Sequence, residues 1–241
     1  MNLRRAWDKH ADEWIRWART EGHDHAFWRL NLPHFLDLLP KPRRLTLDIG
    51  CGEGRMGRIL AQHGHLVFGL DGSPALALAA MTHEDRVEVI AGDAARLPLR
   101  DEVCDLAIAM VSLQDVDDLG SAMREAWRVL EPGGRFCFSV VHPVNSAGGF
   151  RGDGKDSPFV VSGSYWGSRP YTEVIVREGI TMTFNSLHHT LEGYMRPLEE
   201  TGFLVEAIRE PIPDDDLIRD VPKMARWRRV PMFLQVRALK P

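Results

Sequence analysis

The residues best suited to chemistry start at Leu47-Asp48-Ile49-Gly50-Cys51-Gly52-Glu53-Gly54. Three glycines at alternate positions let a backbone turn tightly and approach a ligand closely. Two further acids close short apolar runs. Asp71 ends the run 66–70, and Asp93 follows Gly92 after the run 87–91. A carboxylate so placed accepts hydrogen bonds from ribose hydroxyls or from an amine. Gly52, Gly54 and Gly57 also fit the G-x-G-x-x-G spacing of dinucleotide sites, with Asp71 about 20 positions on. Asp48 argues otherwise, because a carboxylate there suits a cationic ligand and sits badly beside a pyrophosphate. The chemistry suggested is capture of a nucleoside-like ligand that carries positive charge.

Such residues need a scaffold that gathers strand ends. Apolar runs at 45–49, 66–70, 87–91, 106–111 and 135–141 read as strands. Helical patterns through about 63, over 74–81 and over about 117–130 separate them. That rhythm predicts βαβ units and a parallel sheet covered on both faces. Ligands of such sheets bind at the carboxyl ends of the strands, beside the switch point. Residues 1–40 read as helical, with Trp7, Trp14, Ile15 and Trp17 near helical spacing. Residues 142–189 lose the rhythm and hold two short strand patterns, 172–176 and 180–184. A helix at 190–200, a strand at 203–208, a loop at 211–230 and a strand at 232–239 complete the chain.

In order and spacing, 47–57, Gly69-Leu70-Asp71-Gly72-Ser73, Ala91-Gly92-Asp93-Ala94, Cys104-Asp105-Leu106 and Leu130-Glu131-Pro132-Gly133-Gly134 resemble the motifs of class I S-adenosylmethionine-dependent methyltransferases. The resemblance implies a Rossmann-like α/β fold. Its seven-stranded, mostly parallel sheet has helices on both faces and an antiparallel last strand beside the sixth. The methyltransferase domain would span 43–241, with a helical N-terminal lid at 1–42 and an acceptor-site insertion at about 142–189. The implied cofactor is S-adenosyl-L-methionine, with S-adenosyl-L-homocysteine as product. By the same resemblance Asp48, Gly50, Cys51, Gly52 and Gly54 flank the methionine part. Asp71, with Gly72 after it, holds the ribose, and Asp93 and Ala94 border the adenine. Met110 and Val111 open a segment that runs under the sulfonium to Gln114, which stands where many members carry His.

The implied reaction moves a methyl group by in-line displacement to an oxygen, nitrogen or carbon of a small-molecule acceptor. The protein must hold the acceptor in line and exclude water. A general base helps if the acceptor is a hydroxyl. His142, directly after the fifth strand, and His188 and His189, before the helix at Thr190, are the candidates. Tyr165, Trp166 and Tyr171 in the insertion, with Gln114 and the lid residue Trp14, are candidates to line the acceptor pocket. Two alternatives stand beside this reading. One is an NAD(P)-dependent oxidoreductase built on Gly52, Gly54, Gly57 and Asp71; the other is a non-catalytic cofactor-binding protein.

Composition narrows the partners. The 241 residues carry a formal net charge of −4, which argues against coating nucleic acid or an anionic membrane. No apolar run approaches the ~20 residues of a membrane span. The fourth strand ends in Ala109-Met110-Val111-Ser112, without the Asn/Asp-Pro-Pro-aromatic motif that grips a flipped base. Cys51, Cys104 and Cys137 have no C-x-x-C spacing and read as buried, reduced thiols of a cytoplasmic protein. Asp214-Asp215-Asp216 and His23-x-His25 lack the neighbours of a metal site, so no metal is expected. Replacing Asp71→Ala is expected to weaken cofactor binding by ~1–3 kcal/mol, because a charged acceptor is lost. Calorimetry with S-adenosylhomocysteine measures it, and unchanged affinity removes Asp71 from the site.

Overall fold

Two strands with almost no exposed residue mark the centre of the molecule. In the computed structural model, which describes residues 2–241, these are β1 (Thr46–Ile49) and β4 (Cys104–Met110). Burial on both sides is what a central parallel strand requires. Around them lie β2 (Val67–Asp71), β3 (Glu88–Ala91) and β5 (Leu130–Val141). The insertion adds β6 (Gly148–Phe150), β7 (Phe159–Val161), β8 (Arg169–Arg177) and β9 (Ile180–His188). The last two strands are β10 (Leu204–Arg209) and β11 (Phe233–Leu239). The main sheet has seven strands in the order β10-β11-β5-β4-β1-β2-β3. β11 slots between β5 and β10 and runs antiparallel to both, while β1 to β5 pair in parallel. The order reverses between β1 and β4, which opens the crevice of a doubly wound sheet.

Alternate side chains of β4 feed two cores. Ala107 and Ala109 pack with Leu119, Met123 and Ala126 of α6 (Leu119–Val129) and with Tyr194 and Leu198 of α8 (Leu191–Thr201). Leu106 and Ile108 pack on the other face with α3 (Leu32–Leu38) and α4 (Arg55–Gln62). The period-2 alternation of a strand makes this division. α5 (Pro74–Met81) starts at Ser73, whose hydroxyl accepts from the Leu76 amide at 3.2 Å. The N-terminal segment is helical: α1 (Leu3–Lys9), α2 (Ala11–Arg19) and a π-helical turn (Ala26–Asn31) lead into α3.

Three stretches differ from the sequence reading. The two short strands of the insertion are a nine-residue hairpin, paired from Arg169↔His188 to Arg177↔Ile180. Polar Thr and Asn positions hid its length. Gly148-Gly149 carries no alternation, yet β6 pairs with β7. The expected loop at 211–230 contains α9 (Asp215–Asp220) and a 3₁₀ segment (Pro222–Arg228). Asp214 caps α9 by accepting from the Leu217 amide at 2.7 Å, and Leu217 is fully buried. No helix among the described residues is long and apolar enough to cross a membrane.

A buried polar cluster ties the N-terminal helices to the sheet. The Gln235 amide donates to the backbone oxygen and to Oδ1 of Asn31, at 2.8 and 2.7 Å. Ser139 Oγ donates to the same Oδ1 at 2.8 Å. All three residues have no exposed surface. Gln235→Ala should therefore lower stability by about 1–3 kcal/mol, because buried oxygens lose a donor. Denaturant unfolding reads the change, and an unaltered midpoint contradicts the role given to the cluster.

Candidate active site

The glycine loop after β1 is held from below and crowded from above. The Gly50 and Cys51 amides donate to the Leu70 oxygen at 2.7 and 3.0 Å, which joins the ends of β1 and β2. Gly50 and Gly52 have φ of +71° and +59°. A Cβ on Gly50 would lie 2.5 Å from Ser112 Cβ, and one on Gly52 would lie 2.9 Å from Trp14 Nε1. Only glycine fits either place. Gly54 differs. Its missing Cβ faces Ala80 and Val87 at 3.1 Å, so it serves the packing of α4.

Two buried acids end β1 and β2. Asp71 accepts from the Gly52 amide at 2.7 Å and from the Ser73 amide at 2.8 Å. Burial nevertheless pushes its carboxyl up to about 6. Neither carboxylate oxygen of Asp48 has a hydrogen-bond partner. Burial, with the charge of Asp71 nearby, pushes Asp48 up to about 7. Both acids line a cavity of about 740 Å³, together with Gly50, Cys51, Gly52, Gly72, Asp93, Ala94, Met110 and Val111. Val111 has φ of +57°, a strained conformation for a β-branched residue. Its amide donates to Ser139 O at 2.8 Å, which holds the turn against the cavity.

The first helices fold over this end. Arg4 pairs with Asp93 at 3.3 Å, and its stem crosses Gly72, whose missing Cβ would lie 2.8 Å from Arg4 Cγ. Asp8 accepts from Ser73 Oγ at 2.6 Å and from the Ala75 amide at 3.1 Å. Arg19 meets the buried carboxylate of Glu53 at 2.8 Å. Trp7, Trp14 and Trp17 surround Phe184 of β9 edge-on, with ring centroids 6.3, 6.3 and 5.9 Å away. All three tryptophans also line the cavity.

The β8–β9 hairpin forms the opposite wall. Every second residue of β8, namely Arg169, Tyr171, Glu173, Ile175 and Arg177, lines the cavity. Val174 and Val176 point outward and are exposed. Ser186, paired with Tyr171 across the hairpin, donates to Asp115 at 2.6 Å. Desolvation pushes the Asp115 carboxyl well above the ordinary range. Gln114 donates to Val111 O at 2.6 Å, and its own Oε1 is buried without a partner.

Of the sequence candidates, Trp14, Gln114 and Tyr171 line the cavity. Gly54, Tyr165, Trp166, His142, His188 and His189 do not. His142 Nδ1 accepts from the Val144 amide at 3.1 Å, capping α7 (Pro143–Ser146), and its Nε2 meets Glu210 at 2.9 Å. His188 is fully buried between Ser146 Oγ at 2.7 Å and Tyr165 O at 2.8 Å. His189 packs on Tyr194, centroids 5.3 Å apart, and burial pushes it down to about 4. Turn, helix-end and buried contacts occupy these three rings, and none of them lines the cavity. The Tyr165 hydroxyl accepts from the Leu191 amide at 2.9 Å, and Trp166 is 75% exposed. Sequence reasoning missed Asn31, Arg55, Asp115, Arg169, Glu173 and Arg226, which also line the cavity. For Asp115 alone a signal existed, its place just past the end of the fourth strand.

Comparison with known proteins decides between the cofactors. Residues 47–138 match a family described as a methyltransferase domain. The crystal structure of an S-adenosylmethionine-dependent methyltransferase from Mesorhizobium loti aligns with a TM-score of 0.72 and 27% identity, covering 89% of this chain and 97% of that one. A ubiquinone/menaquinone biosynthesis C-methyltransferase of Caulobacter vibrioides is 25% identical over 223 residues, 87% of this chain and 77% of its own length. These matches support a class I S-adenosylmethionine-dependent methyltransferase. The protein is an enzyme, and S-adenosylmethionine is its methyl donor. The oxidoreductase and non-catalytic readings find no support in these matches.

In this methyltransferase His142 caps a helix, and its loss should act on stability. His142→Ala is expected to cost about 0.5–2 kcal/mol in unfolding free energy. S-adenosylhomocysteine affinity and turnover per folded molecule should stay as they are. A fall in turnover at constant stability would return His142 to the role of base.

Proposed function

We propose that this methyltransferase transfers the methyl group to a small-molecule acceptor bound above the carboxyl end of β5 and the amino end of β11. The observation that carries the reading is continuity. One cavity runs from Asp71, Gly72 and Asp93 past Gly50, Cys51 and Gly52 to Val141, Asn145, Tyr171 and Met232. The first group suits the cofactor, and the last lies beyond the loops that would hold it. The relatives act on different acceptors by name. The Caulobacter relative is a quinone-pathway C-methyltransferase, and a Serratia marcescens relative, 32% identical over 100 residues and 39% of its length, is a malonyl-acyl-carrier-protein O-methyltransferase.

Three features fit the cofactor. Asp48 offers two buried, unpartnered carboxylate oxygens to a cationic ligand. Gly50, Gly52 and Gly72 let Ser112, Trp14 and Arg4 close against the backbone that borders the cavity. Asp71 spends one hydrogen bond per oxygen on backbone amides, which leaves lone pairs free for ribose hydroxyls. In this reading Asp48, Gly50, Cys51 and Gly52 border the methionine part, Asp71 and Gly72 the ribose, Asp93 and Ala94 the adenine, and Met110 and Val111 the sulfonium. When bound, the cofactor supplies an electrophilic methyl group. The chain's own part is to orient the acceptor and exclude water. Residues 1–42 act as a lid, latched by Arg4, Asp8 and Arg19 and released for cofactor exchange. The three cysteines are free and buried, which agrees with a reducing cytoplasm. The net charge of −4 favours a small acceptor over nucleic acid.

Titrating the enzyme with S-adenosylhomocysteine and with NADH tests the reading. Binding of the former alone is expected, and binding of NADH alone overturns it. Asp48 adds a pH signature. Its folded pKa of about 7 lies above the ordinary 3.8, so the free protein loses stability as pH rises through about 7. A cationic ligand favours the ionised form. Affinity for S-adenosylmethionine should therefore rise between about pH 6 and pH 8, and the slope should vanish in Asp48→Asn. A flat wild-type profile places Asp48 away from the cofactor's charge.

A further inference from the structure

The far end of the cavity holds a cation without a carboxylate partner. Arg169 opens β8 and lines the cavity above the carboxyl end of β5. Its guanidinium donates only to backbone oxygens, those of Ser164 and, at 3.5 Å, of Ala147. Among the described residues no acid lies within ion-pair distance of it. The other cavity arginines near an acid are answered. Arg4 pairs with Asp93 at 3.3 Å, Arg55 with Asp24 at 3.1 Å and Arg226 with Asp153 at 3.0 Å. Arg177 sits at the other end of the strand, over the Trp17 ring at 5.0 Å and bonded to His23 O, beside the N-terminal helices.

A guanidinium keeps its charge at any working pH. Arg169 is half-buried, and its charge favours an anionic ligand group. The groups around it also donate. Ser162 and Tyr171 line the cavity too, as do Asn145, whose amide donates to Met232 O at 3.2 Å, and Ser146. Two acids share it but do not cancel Arg169. Desolvation pushes the Asp115 carboxyl well up, and it raises Glu173 too, against the opposing charge of Arg226. Beyond the polar end the lining turns apolar and aromatic. Phe150 and Trp227 meet edge-to-face at 5.0 Å, and Ile175, Met232 and Phe233 stand with them.

Resting on the reading of this end as the acceptor site, we infer that the acceptor is an aromatic carboxylic acid. Its carboxylate binds Arg169 and its ring lies against Phe150 and Trp227. Arg169 thereby selects the acceptor, while the cofactor is held by the other end of the cavity. The carboxylate is an anchor in this assignment and takes no part in bond making.

The test uses the enzyme saturated with S-adenosylhomocysteine. Indole-3-acetate and 4-hydroxybenzoate are titrated by calorimetry beside their methyl esters. Each ester should bind roughly tenfold to a hundredfold more weakly than its acid, since one charge-assisted pairing is lost. Arg169→Gln should erase the difference and leave S-adenosylhomocysteine affinity unchanged. Arg169→Lys should keep part of it, as a point charge without the fork. If Arg169→Gln does not fold, the wild-type pairs and Arg169→Lys still decide. Esters that bind as well as acids, acids that do not bind, or a preference that survives Arg169→Gln overturn the inference. Failure to bind S-adenosylhomocysteine would instead overturn the cofactor reading beneath it.

Discussion

The carboxylate of Asp71, buried without a cation, holds the cofactor end together. One oxygen accepts from Gly52 in the loop after β1, and the other accepts from Ser73 in the loop after β2. Two separate loops therefore share one anion. Ser73 in turn caps α5 and donates to Asp8 of α1. The shape of the glycine loop, the start of α5 and the docking of the N-terminal helices all trace to this group. Burial of a charge is costly unless hydrogen bonds replace water. Two backbone amides offset only part of that cost, and the carboxyl stays raised at about 6. An incompletely satisfied acid is well suited to a ligand that brings further hydroxyl donors.

Close approach is the second constraint. Ser112 Oγ donates to Ile49 O at 2.6 Å, so the end of β4 presses against the loop after β1. Gly50 permits that distance, and Val111 accepts a left-handed backbone beside it. Strain of this kind persists only where the surroundings over-determine it. Here the parallel ladder of β4 and β5 and the Val111–Ser139 hydrogen bond do so. β1 and β4 pack closely where they meet at the switch point.

The site divides between a rigid floor and two covers. The sheet supplies the floor through the ends of β1, β2 and β4. The N-terminal helices cover one end and the β8–β9 hairpin the other. Trp7, Trp14 and Trp17 meet Phe184 of the hairpin, so the covers brace each other. An aromatic cluster of this kind is large in apolar area yet holds no fixed polar bond except Trp7 to Asn185 O at 3.1 Å. The floor is thus built by the parallel sheet, and the covers by the N-terminal helices and the hairpin.

By itself the sequence marked the glycine-loop end of the cavity. The glycine loop, Asp48, Asp71, Asp93 and the alternating strands and helices are local signals, set within a few residues by backbone freedom, turn chemistry and periodicity. Their order also announced the sheet. The lining of the cavity's other end was set only in three dimensions. His142, His188 and His189 have the right residue type, but capping and buried hydrogen bonds take them away from the cavity. Arg169 and Asn31 reach it through contacts that no local pattern encodes. Trp7 meets Asn185 at a separation of 178 residues, and Leu3 meets Asp117 at 114. The hairpin's alternation was present in the chain, yet nothing near it specified which face would close over the sheet. Local geometry is written in neighbouring residues, whereas a shared cavity is written in the packing of distant ones.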